Sequence, residues 1–311
     1  MVDVRMTTDS LKRLVPALLM LVVATVVVAA VAGQAPRPAT SMSAVTETHP
    51  SVGRDSVKFL VLGDSGTGDR AQREVAAQVW KSRQVFPYEF AIMLGDNIYG
   101  SERPQDFAEK FEKPYKLLLD ANIPFYAALG NHDDPNQRYY KPFGMGGQRF
   151  YTYQKQDVRF FALDSNYMDK DQQAWLEREL KDSNAKWKIA YFHHPLYSSG
   201  ATHGSEVDLR AIIEPMFVKY GINVVFAGHE HFYERLKAQN GIQYFTAGGS
   251  AKLREGNIRK SAMTARGFDT EQTYMVIEID GDVLRFQAIS RRGKVVDSGE
   301  IARQVKPDPK S

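Results

Sequence analysis

The chain contains no cysteine. That absence excludes disulfides, thiolate zinc sites and cysteine nucleophiles, so any metal must be held by oxygen and nitrogen donors. A strong charge of either sign is also lacking. Forty Lys and Arg stand against 37 Asp and Glu, leaving a formal net charge of +3 over 311 residues. The basic residues are scattered, and Arg291-Arg292 is too short a run to form a nucleic-acid surface. Nothing in the pattern indicates an oligomeric state. Histidine is scarce, with seven in all, yet six of them lie in or just after five short segments. Packing does not explain that concentration. The length suffices for one large α/β domain or two small ones.

The one long apolar run spans 14–32, after Arg5, Lys12 and Arg13, and ends in Ala30-Val31-Ala32. It reads as a secretory signal peptide, 1–32, cleaved near Ala32. Its length also approaches that of a membrane span. The alternative is therefore an uncleaved signal anchor with its basic end in the cytoplasm. Both readings export the main domain to a periplasmic or extracellular location, the second with membrane anchoring by the N-terminal segment. A buried core helix fits poorly, because the run has no polar face. Residues 33–54, rich in Ala, Pro, Ser and Thr, read as a linker with a solvated His49. The globular domain is expected over 55–305, with a loose tail beyond.

Within that domain, strand patterns at 58–63, 89–95 and 124–130 alternate with helical patterns at 69–81 and 105–119. This β-α-β-α-β order implies parallel strands with right-handed crossovers. Segments 149–153 and 158–163 read as a hairpin. A helix at 171–180, a strand at 188–192, a helix near 206–220 and a strand at 223–227 follow. Strand patterns then dominate: 232–237 and 242–247 flank Asn240-Gly241, and 274–279, 283–289 and 295–301 close the chain. These late strands are expected to form a second, mostly antiparallel sheet packed on the first.

The five segments carry the chemistry. They are Gly63-Asp64-Ser65-Gly66, Gly95-Asp96-Asn97-Ile98-Tyr99, Gly130-Asn131-His132-Asp133, His193-His194-Pro195 and Gly228-His229-Glu230-His231. Most follow a strand pattern, so their side chains gather at the carboxyl ends of strands, where ligands bind in such sheets. Carboxylates, a carboxamide, a phenol and imidazoles together point to a two-metal hydrolytic site. Asp96 is the natural bridging carboxylate, because it ends a central strand between other ligand-bearing strand ends. Of the adjacent pair His193 and His194, one faces the metals; motif position selects His193. Glu230 points away from its histidine neighbours in an extended backbone and is read as non-ligating.

In order and type, these segments resemble the purple acid phosphatases, within the calcineurin-like metallophosphoesterases. The resemblance covers about 58–231 and implies an α/β fold of four layers, an α/β/β/α sandwich. It implies a first metal on Asp64, Asp96, Tyr99 and His231, and a second on Asp96, Asn131, His193 and His229. Two carboxylates and a phenolate suit a hard trivalent ion, and an amide with two imidazoles suits a divalent one. The expected cofactors are two metal ions, Fe(III) plus Zn, Mn or Fe in divalent form, with a visible tyrosinate colour. Gly66 stands where many related phosphodiesterases carry a histidine ligand, and Tyr99 would replace it.

The implied activity is an acid phosphatase acting on phosphate monoesters through a metal-activated hydroxide that attacks phosphorus. His132 follows Asn131 and is the expected group at the substrate, binding a phosphoryl oxygen or protonating the leaving group. Asp133 is placed to orient it, and His203 is a second acid candidate on the loop after a metal-bearing strand. A phosphodiesterase or nucleotide hydrolase on the same ligands is the alternative. Another class is an exported, non-catalytic binding protein that keeps the metal scaffold. Every ligand position being filled speaks against it.

Overall fold

The computed structural model describes residues 55–303. The expected leader (1–32), the linker (33–54) and the tail beyond 303 lie outside the described residues. Among the described residues, no helix is long and apolar enough to cross a membrane.

Thirteen strands form two mixed sheets. The first is ordered β13 (Val295–Ala302), β12 (Val283–Ser290), β11 (Thr273–Asp280), β1 (Val57–Leu62), β2 (Phe90–Met93) and β3 (Phe125–Ala127). The second is ordered β10 (Thr264–Phe268), β8 (Tyr233–Leu236), β9 (Gln243–Ala247), β7 (Val224–Ala227), β6 (Trp187–Phe192), β5 (Val158–Ala162) and β4 (Tyr151–Lys155). Strands β1, β2 and β3 are parallel, as are β5, β6, β7 and β9.

Side-chain alternation along the central strands explains why the sheets stack. In β1, Val57, Phe59 and Val61 enter one core, and Leu60 and Leu62 another. The first core lies between the sheets, where Phe59 meets Phe160 edge-on at 5.3 Å. On the outer face of the first sheet, Leu60 and Leu62 share a core with Val75 and Val79 of helix α1 (Arg70–Val85). Asp69 caps α1 by accepting from Gln72 N at 2.9 Å. The outer face of the second sheet packs on Leu176 and Leu180 and on Ile213 and Phe217. The first pair lies on the fourth helix, Lys170–Lys181, and the second on the fifth, Val207–Tyr220.

Three expectations need correction. The last three strands do not form a separate sheet. β11 instead pairs antiparallel with the free edge of β1, Val57 opposite Ile279, and is buried along nearly its whole length because it lies inside the first sheet. The expected helix at 105–119 is broken into α2 (Pro104–Phe107), a π-helical turn (Ala108–Glu112) and α3 (Lys116–Asp120). Pro114 sits between the last two, where it lacks an N–H and crowds the preceding turn. The edge strand β10 was not expected at all. It is largely exposed and carries Gly267, so no apolar alternation marks it. With it, the helices of 170–181 and 207–220 become α4 and α5 in chain order.

Candidate metal centre

Five parallel strands end at one place, β1, β2 and β3 from the first sheet and β6 and β7 from the second. Turning out of each strand within one or two residues demands unusual backbone. Asp64, Asp96 and His229 all have positive φ, at 55°, 50° and 67°. Non-glycine residues rarely adopt that region, and strain of this kind concentrates at functional sites. Gly130 is required by close approach, since a Cβ there would collide with the backbone nitrogen and Oδ1 of Asp96.

The expected ligands converge in two clusters. In the first, Tyr99 Oη donates to Asp64 Oδ1 at 3.1 Å, and His231 Nε2 lies 3.2 Å from the same phenol and 3.3 Å from Asp64 Oδ1. Ligand atoms of Asp64, Asp96 and His231 all lie within 4.8 Å of one another. In the second, His193 Nε2 is 2.9 Å from Asn131 Oδ1, 3.1 Å from His229 Nδ1 and 3.4 Å from Asp96 Oδ1. Asp96 thus reaches both clusters. His194, passed over from sequence in favour of His193 as a residue supporting the ligands or the packing, also joins the second: its ligand atom lies within 4.8 Å of those of His193 and His229, and its Nδ1 is 2.9 Å from Ser165 Oγ.

The charge state follows from burial. Desolvation and the neighbouring Asp96 charge raise the Asp64 carboxyl well above its usual range. Desolvation and adjacent imidazoles hold His193 well below its usual value and take His229 down to about 2. Burial and Arg254 take His231 down to about 4. The imidazoles are therefore neutral and present lone pairs. His193 Nδ1 contacts the Leu94 carbonyl at 2.9 Å and must donate to it, which leaves Nε2 as an acceptor. That lone pair faces the Asn131 and Asp96 oxygens. One proton on His229 Nδ1 can satisfy one contact at most, so the oxygens opposite remain acceptor against acceptor. A cation resolves this arrangement, and the donor set of carboxylate, amide oxygen and imidazole fits a metal ion.

The expected acid–base residues fare differently. His132 is exposed, with its backbone N–H bound to Asp96 Oδ1 at 3.0 Å and its ring 5.0 Å from that of Tyr99. Asp133 does not orient it. Its carboxylate is buried and accepts from Asn97 N, Asn97 Nδ2 and Gly130 N on one oxygen, and from Ile98 N and Gln137 Nε2 on the other. It ties the Asp96 and Asn131 loops together instead. Burial and the Asp96 charge push its carboxyl up to about 8, but every contact is a donor and a carboxylic O–H would find no acceptor. The ionised form is the one that fits. The His203 ring lies tilted against that of His229, 4.1 Å between centres, and Glu230 holds that loop by accepting from His203 N and Gly204 N.

Sequence reasoning missed the site's walls. On the Asn131 side, a cavity of about 430 Å³ is lined in part by Asp164, Asn166, His194 and Glu206. Asp164 follows β5 by two residues, and the strand-end logic used for Asp64 could have found it. On the Tyr99 side stand Lys252 and Arg254, which belong to no recognisable motif.

Residues 57–233, which are 177 of the 311, match the family model described as calcineurin-like phosphoesterase. The chain belongs to the calcineurin-like phosphoesterase family. Within it, this phosphoesterase is distantly related to the purple and tartrate-resistant acid phosphatases. Tartrate-resistant acid phosphatase type 5 of Oryctolagus cuniculus is 28% identical over 236 residues, 62% of this chain and 72% of that protein. Purple acid phosphatase 17 of Arabidopsis thaliana is 26% identical over 246 residues, 67% and 72% of the two chains. The fold matches the purple acid phosphatase of yellow lupin seeds with a TM-score of 0.64 at 19% identity, covering 80% of this chain and 54% of that one. It also matches GAP50, the anchor in the inner membrane complex of Plasmodium, with a TM-score of 0.69 at 19% identity, covering 81% and 90%.

Proposed function

We propose that this phosphoesterase is an exported, dinuclear metal-dependent hydrolase of phosphate monoesters, an acid phosphatase. Residues 55–305 would act as its one domain, a four-layer α/β/β/α sandwich, and 1–32 would direct export. The observation that carries the activity is the pair of ligand clusters sharing Asp96, with His193 Nε2 turned toward the Asn131 and Asp96 oxygens in an arrangement that a cation satisfies. Asp64, Asp96, Tyr99 and His231 would hold one ion, and Asp96, Asn131, His193 and His229 the other. Two such ions supply Lewis acidity, neutralising phosphoryl oxygens and acidifying a water. The first donor set, two carboxylates and a phenol, suits Fe(III); the second suits Zn, Mn or Fe in divalent form.

The protein's own groups complete the reaction. His132, exposed and fixed through its backbone to Asp96, donates a proton to the departing oxygen. His203, tilted against His229 and held by Glu230, is the second donor candidate.

A phosphodiesterase reading uses the same ligands. A non-catalytic reading draws on the fold match to GAP50, described as an anchor. One preparation separates all three: metal analysis with rates on nitrophenyl phosphate and bis-nitrophenyl phosphate. About two metals per chain, one of them iron, with faster monoester turnover is the expected result. Faster diester turnover favours the phosphodiesterase. Loaded metals without turnover of either ester favour the scaffold.

A further inference from the structure

The candidate site has walls of opposite charge. The cavity on its Asn131 side is lined by Asp133, Asp164 and Glu206 and by no Lys or Arg, with Asp164 paired to Arg149 at 2.7 Å. Opposite, the segment after β9 carries Lys252 and Arg254 and is clamped to the metal-bearing loops: Lys252 N donates to Asp64 O at 3.3 Å and Arg254 N to His231 O at 3.0 Å. Lys252 Nζ lies over the Tyr99 ring, 4.5 Å from its centre, and both residues are half-buried. Among the described residues, no carboxylate forms an ion pair with Lys252. The nearest carboxylate to Arg254, Glu230 Oε2, stands 3.9 Å from Nη1, which is buried without a hydrogen-bond partner. A half-buried cation without a paired anion, as Lys252 is, is costly, and with the long-paired Arg254 on the same clamped segment beside a phosphoryl site it is placed to meet a charge from outside.

We infer that Lys252 and Arg254 form a second anion subsite that binds a further phosphate group on the substrate, next to the phosphoryl group being transferred. The inference rests on the phosphoesterase reading and narrows its substrate class to bisphosphorylated molecules. Geometry favours this side for the leaving group. His132, the proton donor of the proposed reaction, and Lys252 both flank the Tyr99 ring. The lining of the Asn131 side offers a second phosphate no Lys or Arg, whereas the Lys252 side attracts it. In the reaction, a water oxygen forms the new P–O bond as the ester P–O bond breaks. The bonding pair goes to the leaving alkoxide, which takes its proton from His132; the attacking water releases one proton to solvent, from which His132 is reprotonated, and the second phosphate stays intact on Lys252 and Arg254.

The test is a matched pair of substrates, propyl phosphate and propane-1,3-diol bisphosphate, which both release a primary three-carbon alcohol and differ in the second phosphate that the latter alcohol carries. The wild-type enzyme should favour the bisphosphate in kcat/KM. In Lys252→Gln and in Arg254→Gln that preference should fall by about tenfold or more, the scale of one charge-assisted hydrogen bond, mainly through KM. Lys252→Arg should restore most of it. A wild type without preference, or a preference untouched by both Gln variants, overturns the subsite. If Lys252→Gln fails to fold or loses metal, Arg254→Gln and Lys252→Arg decide alone. Calorimetric binding of propanediol bisphosphate and propyl phosphate to the metal-loaded protein separates the two readings. Tighter binding of the bisphosphate that depends on Lys252, with no turnover of either ester, sinks the phosphatase and keeps the subsite. Turnover of both esters at equal efficiency does the reverse.

Discussion

Asp133→Asn should destabilise this protein far more than a change of one atom at an active-site edge would suggest. In the native fold, five N–H donors converge on the two carboxylate oxygens, from Asn97 (twice), Gly130, Ile98 and Gln137. An amide keeps one acceptor and turns an N–H2 toward the remaining donors, so one or two backbone N–H groups are left without a partner, whereas Asn97 Nδ2 still reaches Ala128 O and Gln137 Nε2 still reaches Glu102 Oε1. Each buried donor so stranded costs about 1–3 kcal/mol, which sets the expected loss at about 2–4 kcal/mol. For a domain of this size that is a fall in Tm of roughly 10 °C. Urea and thermal unfolding of wild type and variant, with and without chelator, measure it. Metal affinity should fall alongside, because the loops that Asp133 joins carry Asp96 and Asn131. The result that refutes this reasoning is a variant within about 1 kcal/mol of wild type at neutral pH, the usual range of a neutral surface change. Asn is the near-isostere of a protonated Asp, so such a result would mean that the wild-type carboxyl already carries a proton, as its upward shift to about 8 would have it.

Three further substitutions test the site itself. Asp96→Ala should lose both metals and nearly all hydrolysis, whereas Asn131→Ala should weaken mainly one metal; clear residual activity in purified Asp96→Ala would show that the centre is elsewhere. Tyr99→Phe should abolish a visible absorption band while leaving measurable hydrolysis, and an unchanged spectrum would remove the phenolate ligand. His132→Ala should keep both ions and the band but slow hydrolysis by roughly a hundredfold or more, most on esters with poor leaving groups. Equal slowing on every ester would leave His132 a positioning role only.

The central strands were legible because they are buried on both faces and run into a polar residue, after a Gly in β1, β2 and β7 and directly at His193 in β6. β1, β2, β6 and β7 fall within two residues of their expected bounds. Which sheet a late strand joins was not legible. The pattern of β11 states that it is apolar throughout, and both a separate sheet and an insertion beside β1 meet that requirement. The free edge of β1 decides the matter, and an edge is a property of the assembled sheet, not of any segment. The broken helix at 104–120 was legible in principle: Pro114 stands inside the expected run, and its consequence follows from its missing N–H.

The candidate site divides along the same line. Ligand types could be read because metal chemistry restricts them to a few side chains at strand ends. The direction of each side chain could not, and Asp133 shows why. Asn131, His132 and Asp133 sit in a turn closed by Asp133 N donating to Gly130 O, and successive side chains in such a turn diverge. His132 is consequently left in solvent beside Tyr99, while Asp133 is driven into the junction between two loops, where donors already wait for it. An adjacent His and Asp read as a catalytic dyad only if both face one cavity. The same divergence sends Glu230 away from His229 and His231 to hold the His203 loop. In each case a charged residue inside a metal motif serves the backbone that carries the ligands, which is why its loss should register first in stability and metal content and only through them in rate.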